Sequence, residues 1–220
     1  MKIGVFTVSV PEWDPVECLE QLAKIGYDGV EWRVCEDKGD RGKPSFWSGN
    51  RTSMTAEELI ARAKELKAKA RATGMAMPSV GAYINCDRLD WIETHFKACK
   101  AIGARNIRIG PGGYDPAKGT YAEQVKVTRA RYRKVAKLAK NYGVRAVIET
   151  HMGQLGPTIH KALALVDGMD PKHVGIMWDP GNQVMEGGET YRMAIDIAGP
   201  YLAEVHATNM SWAPADEKDG

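Results

Sequence analysis

The chain has no excess of charge of either sign. Thirty Lys and Arg stand against 28 Asp and Glu, a net charge of +2 over 220 residues with no long like-charge block. The electrostatic footprint of a nucleic-acid binder is therefore missing. Cysteine is sparse, and Cys18, Cys35, Cys86 and Cys99 form no C-x-x-C pair. That argues against a zinc ribbon or a thioredoxin-type dithiol and reads as the reduced thiols of a cytoplasmic protein. No apolar run approaches the roughly 20 residues of a membrane span, so no membrane partner is expected. The opening stretch, residues 1–10, meets Pro11-Glu12 with no basic region of weight and no small-residue cleavage site. It reads as a first strand rather than a secretory signal. No Gly-rich linker divides the sequence, so residues 1–220 are taken as one domain, long enough to bury a core without disulfides.

What is present is a recurring joint, in which an amphipathic helix ends at a glycine and runs within a few residues into a β-rich segment. Three copies are plain: KIGYDGVEWR (24–33), AIGARNIRIG (101–110) and NYGVRAVIET (141–150). Glycine suits the joint because the residue closing a helix often takes the left-handed conformation. RATGMAMPSV, DGMDPKHVGIMWD and IAGPYLAEVHATN are weaker copies. Between the joints the apolar residues follow a 3.6-residue period. Val125, Thr128, Tyr132, Val135, Ala139 and Tyr142 share one face, as do Leu59, Ala63, Leu66 and Ala70. Ser53 or Thr55, with a Glu three residues on, caps the second of these helices.

Strands are expected near 2–8, 28–33, 75–80, 105–109, 144–149, 174–178 and 202–206. Each after the first is reached through a helix, and such crossovers join parallel strands. IGVFTV, VRAVIE and VGIMW are nearly continuous apolar runs, as strands covered on both faces should be. The alternating order predicts an α/β fold, either a (β/α) barrel or an open doubly wound sheet. Residues 35–53, with two aromatics and many charges, form either an insertion loop over one mouth of the domain or a disordered segment.

In both folds ligands bind at the carboxyl ends of the strands. The second strand ends in Glu31-Trp32-Arg33, the fifth in Glu149-Thr150-His151, the sixth in Asp179-Pro180-Gly181-Asn182 and the seventh in His206-Ala207-Thr208-Asn209. Two carboxylates and an imidazole leaving three successive parallel strands can converge on one divalent cation. Oxygen-rich ligation with a single His suits Mn²⁺ or Mg²⁺, with Zn²⁺ and Co²⁺ as further options. Each residue has a plainer reading as well. Glu149 fits an acidic residue before the next helix, and Asp179 before Pro-Gly fits a turn. Glu31 and Arg33, which share one face of their strand, fit either an interior ion pair or substrate contacts. His151, two residues beyond Glu149, fits either a substrate-binding or supporting group above the site or a surface residue, and Asn182 is a further substrate-binding candidate. The Gly110–Gly113 stretch lacks the spacings of a nucleotide cradle.

The runs IETHMG, MWDPGN and EVHATNMSW, together with the opening strand and GVEWR, resemble the sugar phosphate isomerase/epimerase family with the xylose isomerase-like TIM barrel. The resemblance implies a (β/α)8-type barrel whose metal is held by Glu, Asp, His and Glu from the fifth to eighth strands. The first three map onto Glu149, Asp179 and His206, with Glu149 as ligand and candidate base. Only 14 residues follow His206, so the barrel is expected to stop after the seventh strand, without the eighth β/α unit and its Glu. The second His that many members carry after the sixth-strand Asp is replaced by Pro180-Gly181-Asn182. The implied activity is metal-dependent isomerisation or epimerisation of a sugar or related polyol-derived carbonyl compound through an enediolate. Two alternatives stand beside it: an inactive barrel fragment that binds a sugar or a partner, and an endonuclease IV-type metal hydrolase. The latter needs more His at strand ends and a basic groove. An unfinished barrel would also leave an open edge, which suits a homo-oligomer.

Overall fold

Seven parallel strands are joined by seven helices in the computed structural model, which describes residues 1–213; each crossover holds one helix except that from the sixth strand to the seventh, which holds two. The strands are β1 (Gly4–Phe6), β2 (Gly29–Val34), β3 (Ala76–Ala82), β4 (Asn106–Arg108), β5 (Arg145–Glu149), β6 (Val174–Trp178) and β7 (Leu202–Val205). The helices are α1 (Pro15–Ile25), α2 (Ala56–Thr73), α3 (Leu89–Ile102), α4 (Tyr121–Tyr142), α5 (Ile159–Val166), α6 (Pro180–Glu186) and α7 (Tyr191–Ala198). Spatial order follows sequence order from β1 to β7, and every neighbouring pair is parallel. All seven expected strands are found, each within two residues of its expected ends.

The sheet is curled, not open. Adjacent strands lie about 4.8 Å apart, so in a flat sheet β2 and β7, five places apart, would be separated by about 24 Å. Instead His206, just past β7, reaches Glu31 of β2 at 2.7 Å. Below it, Glu204 of β7 accepts a hydrogen bond from Asn106 Nδ2 of β4 at 3.0 Å. Of the two folds open to the sequence, the structure takes the barrel. Among the described residues β1 and β7 are not paired with each other, and the seven strands form a partial barrel. Residues 214–220, part of the tail in which no eighth strand is expected, lie outside the described residues.

The three plain glycine joints behave as the sequence requires. Gly26, Gly103 and Gly143 close α1, α3 and α4 with φ of 104°, 78° and 68°. Gly74 closes α2 in the same way, whereas Gly199 leaves α7 with ψ of −126° and leads into a single 3-10 turn. Thr55 and Glu58 form a full capping box on α2, and Thr120 and Glu123 form another on α4. Ser53 does not cap; its hydroxyl accepts from Arg33 Nη1 at 2.8 Å. The helices cover the outside of the sheet with residues such as Leu19, Leu59, Phe96, Tyr132 and Ile159, all fully buried. Trp32, also fully buried, alternates with Glu31 and Arg33, so it enters this outer core while they face inward.

The segment after β2 is an ordered loop built around one carboxylate. Asp37 accepts from the backbone N–H groups of Gly39, Gly49 and Asn50 at 2.8–2.9 Å and from Arg33 Nη1 at 3.1 Å. Burial opposes its charge, but these donors outweigh it and hold the carboxyl below its ordinary value. The loop docks on the end of β1 through Asn50 Nδ2 to Val8 O at 3.1 Å and Thr52 Oγ1 to Thr7 O at 2.8 Å. Of the two readings the sequence left open for residues 35–53, the insertion loop is correct. Asp37→Ala removes the partner of a buried guanidinium and should cost about 3 kcal/mol. It should also speed tryptic cleavage after Arg41 and Lys43, as urea unfolding and timed proteolysis would show.

Candidate metal centre

The carboxyl ends of β2, β4, β5, β6 and β7 bring together Glu31, Arg108, Glu149, Asp179 and His206. At the centre is the His206 ring. Its Nε2 lies 2.7 Å from Glu31 Oε2 and its Nδ1 3.0 Å from Glu149 Oε1. The ring also stacks on Phe6 of β1, with centroids 5.5 Å apart. The other oxygen of Glu149, Oε2, accepts from Arg108 Nη1 at 2.6 Å. Arg108 in turn lies over the Tyr83 ring at 4.5 Å and donates its Nε–H to Ala82 O at 3.2 Å. The result is a chain of alternating charge, Glu31–His206–Glu149–Arg108, whose side chains are each no more than 14% exposed.

Glycine makes the packing possible at two positions. A Cβ on Gly81 would sit 2.5 Å from the Phe6 ring and 2.8 Å from Glu31 Oε1. On Gly181 it would sit 2.2 Å from Thr208 Oγ1. Asp179 is held by the chain that follows it. It is the N-cap of α6, with Pro180 in the first turn, and its Oδ1 accepts from Asn182 N at 3.0 Å and from Thr208 Oγ1. Its own N–H donates to Thr150 Oγ1 at 2.8 Å. The turn reading of Asp-Pro-Gly and the site reading thus hold for the same residue.

The charges fix one another's protonation. Burial alone would make His206 easier to deprotonate, but Glu31 and Glu149 outweigh it and raise its pKa to about 10. Burial likewise opposes the Glu149 charge, and the hydrogen bond from His206 with the charge of Arg108 lowers it to about 2. Arg108 is raised because Glu149 outweighs its burial. Glu204, one layer below, is pushed up by burial and by the nearby Glu31 charge.

Glu149, Asp179 and His206 each offer a ligand atom, and those atoms lie within 4.8 Å of one another. Two ligands each about 2.0–2.5 Å from one ion lie no more than about 5 Å apart. Two carboxylates and one imidazole in that space fit a divalent cation in both spacing and donor chemistry. Beside them a cleft of about 300 Å³ is lined by Tyr83, Asn85, Arg108, Glu149, His151 and Gln154, among others. Of the four side chains expected to hold substrate, only His151 borders this cleft. Arg33 does not pair with Glu31; its guanidinium is committed to Asp37, Ser53 and Trp47 O. Glu31 binds His206, and Asn182 is buried behind Asp179. The three remaining histidines stand apart: His95 bonds Trp91 O within α3, His160 meets Glu189 at the start of α5, and His173 lies near Asp170 just before β6. Sequence reasoning missed Arg108, as it did Tyr83, Asn85 and Gln154 of the cleft; of these Arg108 alone joins the charged chain. The signal for Arg108 was a lone Arg at the end of the strand in NIRIG.

The pKa directions give opposite stability limits in chelator-treated protein. His206, raised from 6.5 to about 10, contributes stability in full below pH 6.5 and loses it as the pH climbs through 10. Glu149, lowered from 4.5 to about 2, contributes in full above pH 4.5 and loses it as the pH falls through 2. The stability advantage of the natural chain over His206→Gln should therefore be greatest near pH 4.5–6.5 and shrink on the alkaline side. Urea unfolding at stepped pH measures it.

Comparison with known proteins agrees with this fold. No curated protein matches the chain in sequence. Solved structures do match its fold. The 3-keto-D-glucoside 4-epimerase YcjR from E. coli is 17% identical with a TM-score of 0.72, over 93% of this chain and 78% of that one. A D-psicose 3-epimerase from Clostridium cellulolyticum H10, solved with D-tagatose, is 20% identical with a TM-score of 0.71, over 93% of this chain and 72% of that one. The IolI protein, solved with a zinc atom, is 17% identical with a TM-score of 0.66, over 86% and 66%. At these identities the likeness is one of fold. The model of the xylose isomerase-like TIM barrel family matches residues 19–220, and the chain belongs to that family.

Proposed function

We propose that the chain is a divalent-metal-dependent isomerase or epimerase of a sugar or related polyol-derived carbonyl compound, working through an enediolate. The observation that carries the reading is the meeting of Glu149, Asp179 and His206 from three successive strands, beside a cleft that Glu149 also lines. A divalent cation held by these three residues supplies Lewis-acid polarisation of a substrate carbonyl, which eases loss of the neighbouring C–H proton. Oxygen-rich donors favour Mn²⁺ or Mg²⁺ over Zn²⁺ or Co²⁺. The fold neighbours that are sugar epimerases support the same reaction class.

The chain's own residues then divide the work. Arg108 and His206 keep Glu149 ionised, the form in which the carboxylate can serve as ligand and as proton acceptor. The same neighbours make it a weak proton acceptor, which favours returning the proton within the turnover over holding it. His151, at the cleft wall, together with Asn85 and Gln154, offers hydrogen bonds to substrate hydroxyls. Free thiols, three of the four buried, suit a cytoplasmic enzyme acting as one domain. No helix among the described residues is long and apolar enough to cross a membrane.

A second reading, a barrel that binds a sugar without turning it over, is favoured by one fact: the cluster holds three donors among the described residues. Isomer interconversion followed by NMR on a panel of ketoses with Mn²⁺ separates the two. Turnover is expected with the natural chain, and Glu149→Gln should reduce it by a factor on the order of 10²–10⁴. Chelation by EDTA should abolish it, with Mn²⁺ restoring it. Turnover unchanged in Glu149→Gln sinks the proposal, and tight sugar binding without turnover establishes the second reading.

A further inference from the structure

A histidine with two ring nitrogens can present a lone pair to a cation on only one of them when the other carries its proton. In this site the two nitrogens have different surroundings. Nδ1 faces Oε1 of Glu149, itself one of the three candidate ligands, at 3.0 Å. Nε2 faces Glu31 Oε2 at 2.7 Å, away from Glu149. Glu31 is itself tightly seated. It is 7% exposed, lies on β2 facing the barrel interior, and has the Cβ-free space of Gly81 beside its Oε1. That Oε1 is buried and has no hydrogen-bond partner among the described residues, so the carboxylate's one strong contact there is with His206. Phe6 stacks on the ring at an interplanar angle of 24° and blocks its rotation on that face.

We propose that Glu31 is a positioning residue for the metal centre. It takes the Nε2–H of His206, fixes the ring's tautomer and plane, and so leaves Nδ1 as the nitrogen available to a divalent cation. A carboxylate behind a ligating histidine also raises the ring's basicity toward a metal, and losing such a partner typically weakens binding 10–100-fold. The role differs from the substrate contact that the strand position of Glu31 suggested. It rests on the reading of Glu149, Asp179 and His206 as metal ligands, and it adds to that reading which nitrogen of His206 is used and why.

The test is metal binding at one fixed pH, read by calorimetric titration of the full chain with Mn²⁺ and by ¹⁵N NMR of the His ring nitrogens with Zn²⁺ bound. The natural chain should bind one Mn²⁺, Glu149→Gln should lose that binding, and Glu31→Gln should bind 10–100-fold more weakly. In the Zn²⁺-loaded natural chain the His206 spectrum should show a protonated Nε2 and a metal-bound Nδ1, and Glu31→Gln should lose the slowly exchanging Nε2–H signal. The isosteric Gln preserves the fold, which a matching circular dichroism melt verifies. Glu31→Asp, which keeps the charge, should recover part of the affinity. If Glu149→Gln fails to bind while Glu31→Gln binds like the natural chain, or if Nε2 is the metal-bound nitrogen, the role of Glu31 is overturned and the metal centre stands. If the natural chain binds no Mn²⁺, both fall together.

Discussion

The imidazole of His206, held between Glu31 and Glu149, is the contact on which the arrangement of the site depends. A single charge buried at this depth would be expelled or neutralised, because desolvation costs several kcal/mol per ion. Here two carboxylates alternate with an imidazolium and a guanidinium, and each charge is stabilised by its neighbours. The same contacts tie β2, β4, β5 and β7 at their carboxyl ends. They draw together strands that a flat sheet would hold far apart, so the electrostatics of the site and the curl of the sheet are one constraint. Phe6 and Gly81 serve the same contact sterically, one by stacking on the ring and the other by leaving room for Phe6 and Glu31.

A cation at this centre would therefore meet ligands already hydrogen-bonded without it. Glu149 accepts from both His206 and Arg108, and Asp179 accepts from Asn182 and Thr208. Because the ligands are held in place by contacts that do not involve a metal, little ordering entropy remains to be lost on binding. What binding does require is a proton leaving the His206 ring, since an imidazolium has no lone pair to offer. Preorganisation and proton release act in opposite directions on affinity.

How much of this was legible in the sequence follows from the range of the interactions. The glycine joints at Gly26, Gly103 and Gly143 are local, set by backbone conformation over a few residues, and they located strands and helices closely. Glu149, Asp179 and His206 were legible because strand alternation and parallel order put them at one end of successive strands. Arg108 and Glu204 were not singled out. Each is one polar residue in a short strand, and whether it faces the interior depends on the curl of the sheet, which no local pattern encodes. Asp37 was hidden for a related reason: its partners Gly39, Gly49 and Asn50 gather only once the loop has closed. Arg33, expected at the substrate, was captured by that loop.

The cleft and the donor cluster overlap in one residue. The cleft runs over the ends of β3, β4 and β5, whereas the donors come from β5, β6 and β7, and Glu149 at the end of β5 belongs to both. One of its oxygens faces the His206 ring and the other faces Arg108, which also lines the cleft. A substrate oxygen entering the cleft would compete with Glu149 for Arg108, and any weakening of that ion pair raises the proton affinity of the carboxylate. In the proposed reaction Glu149 would thus be a poor base in the resting site and a better one once substrate had drawn the guanidinium away.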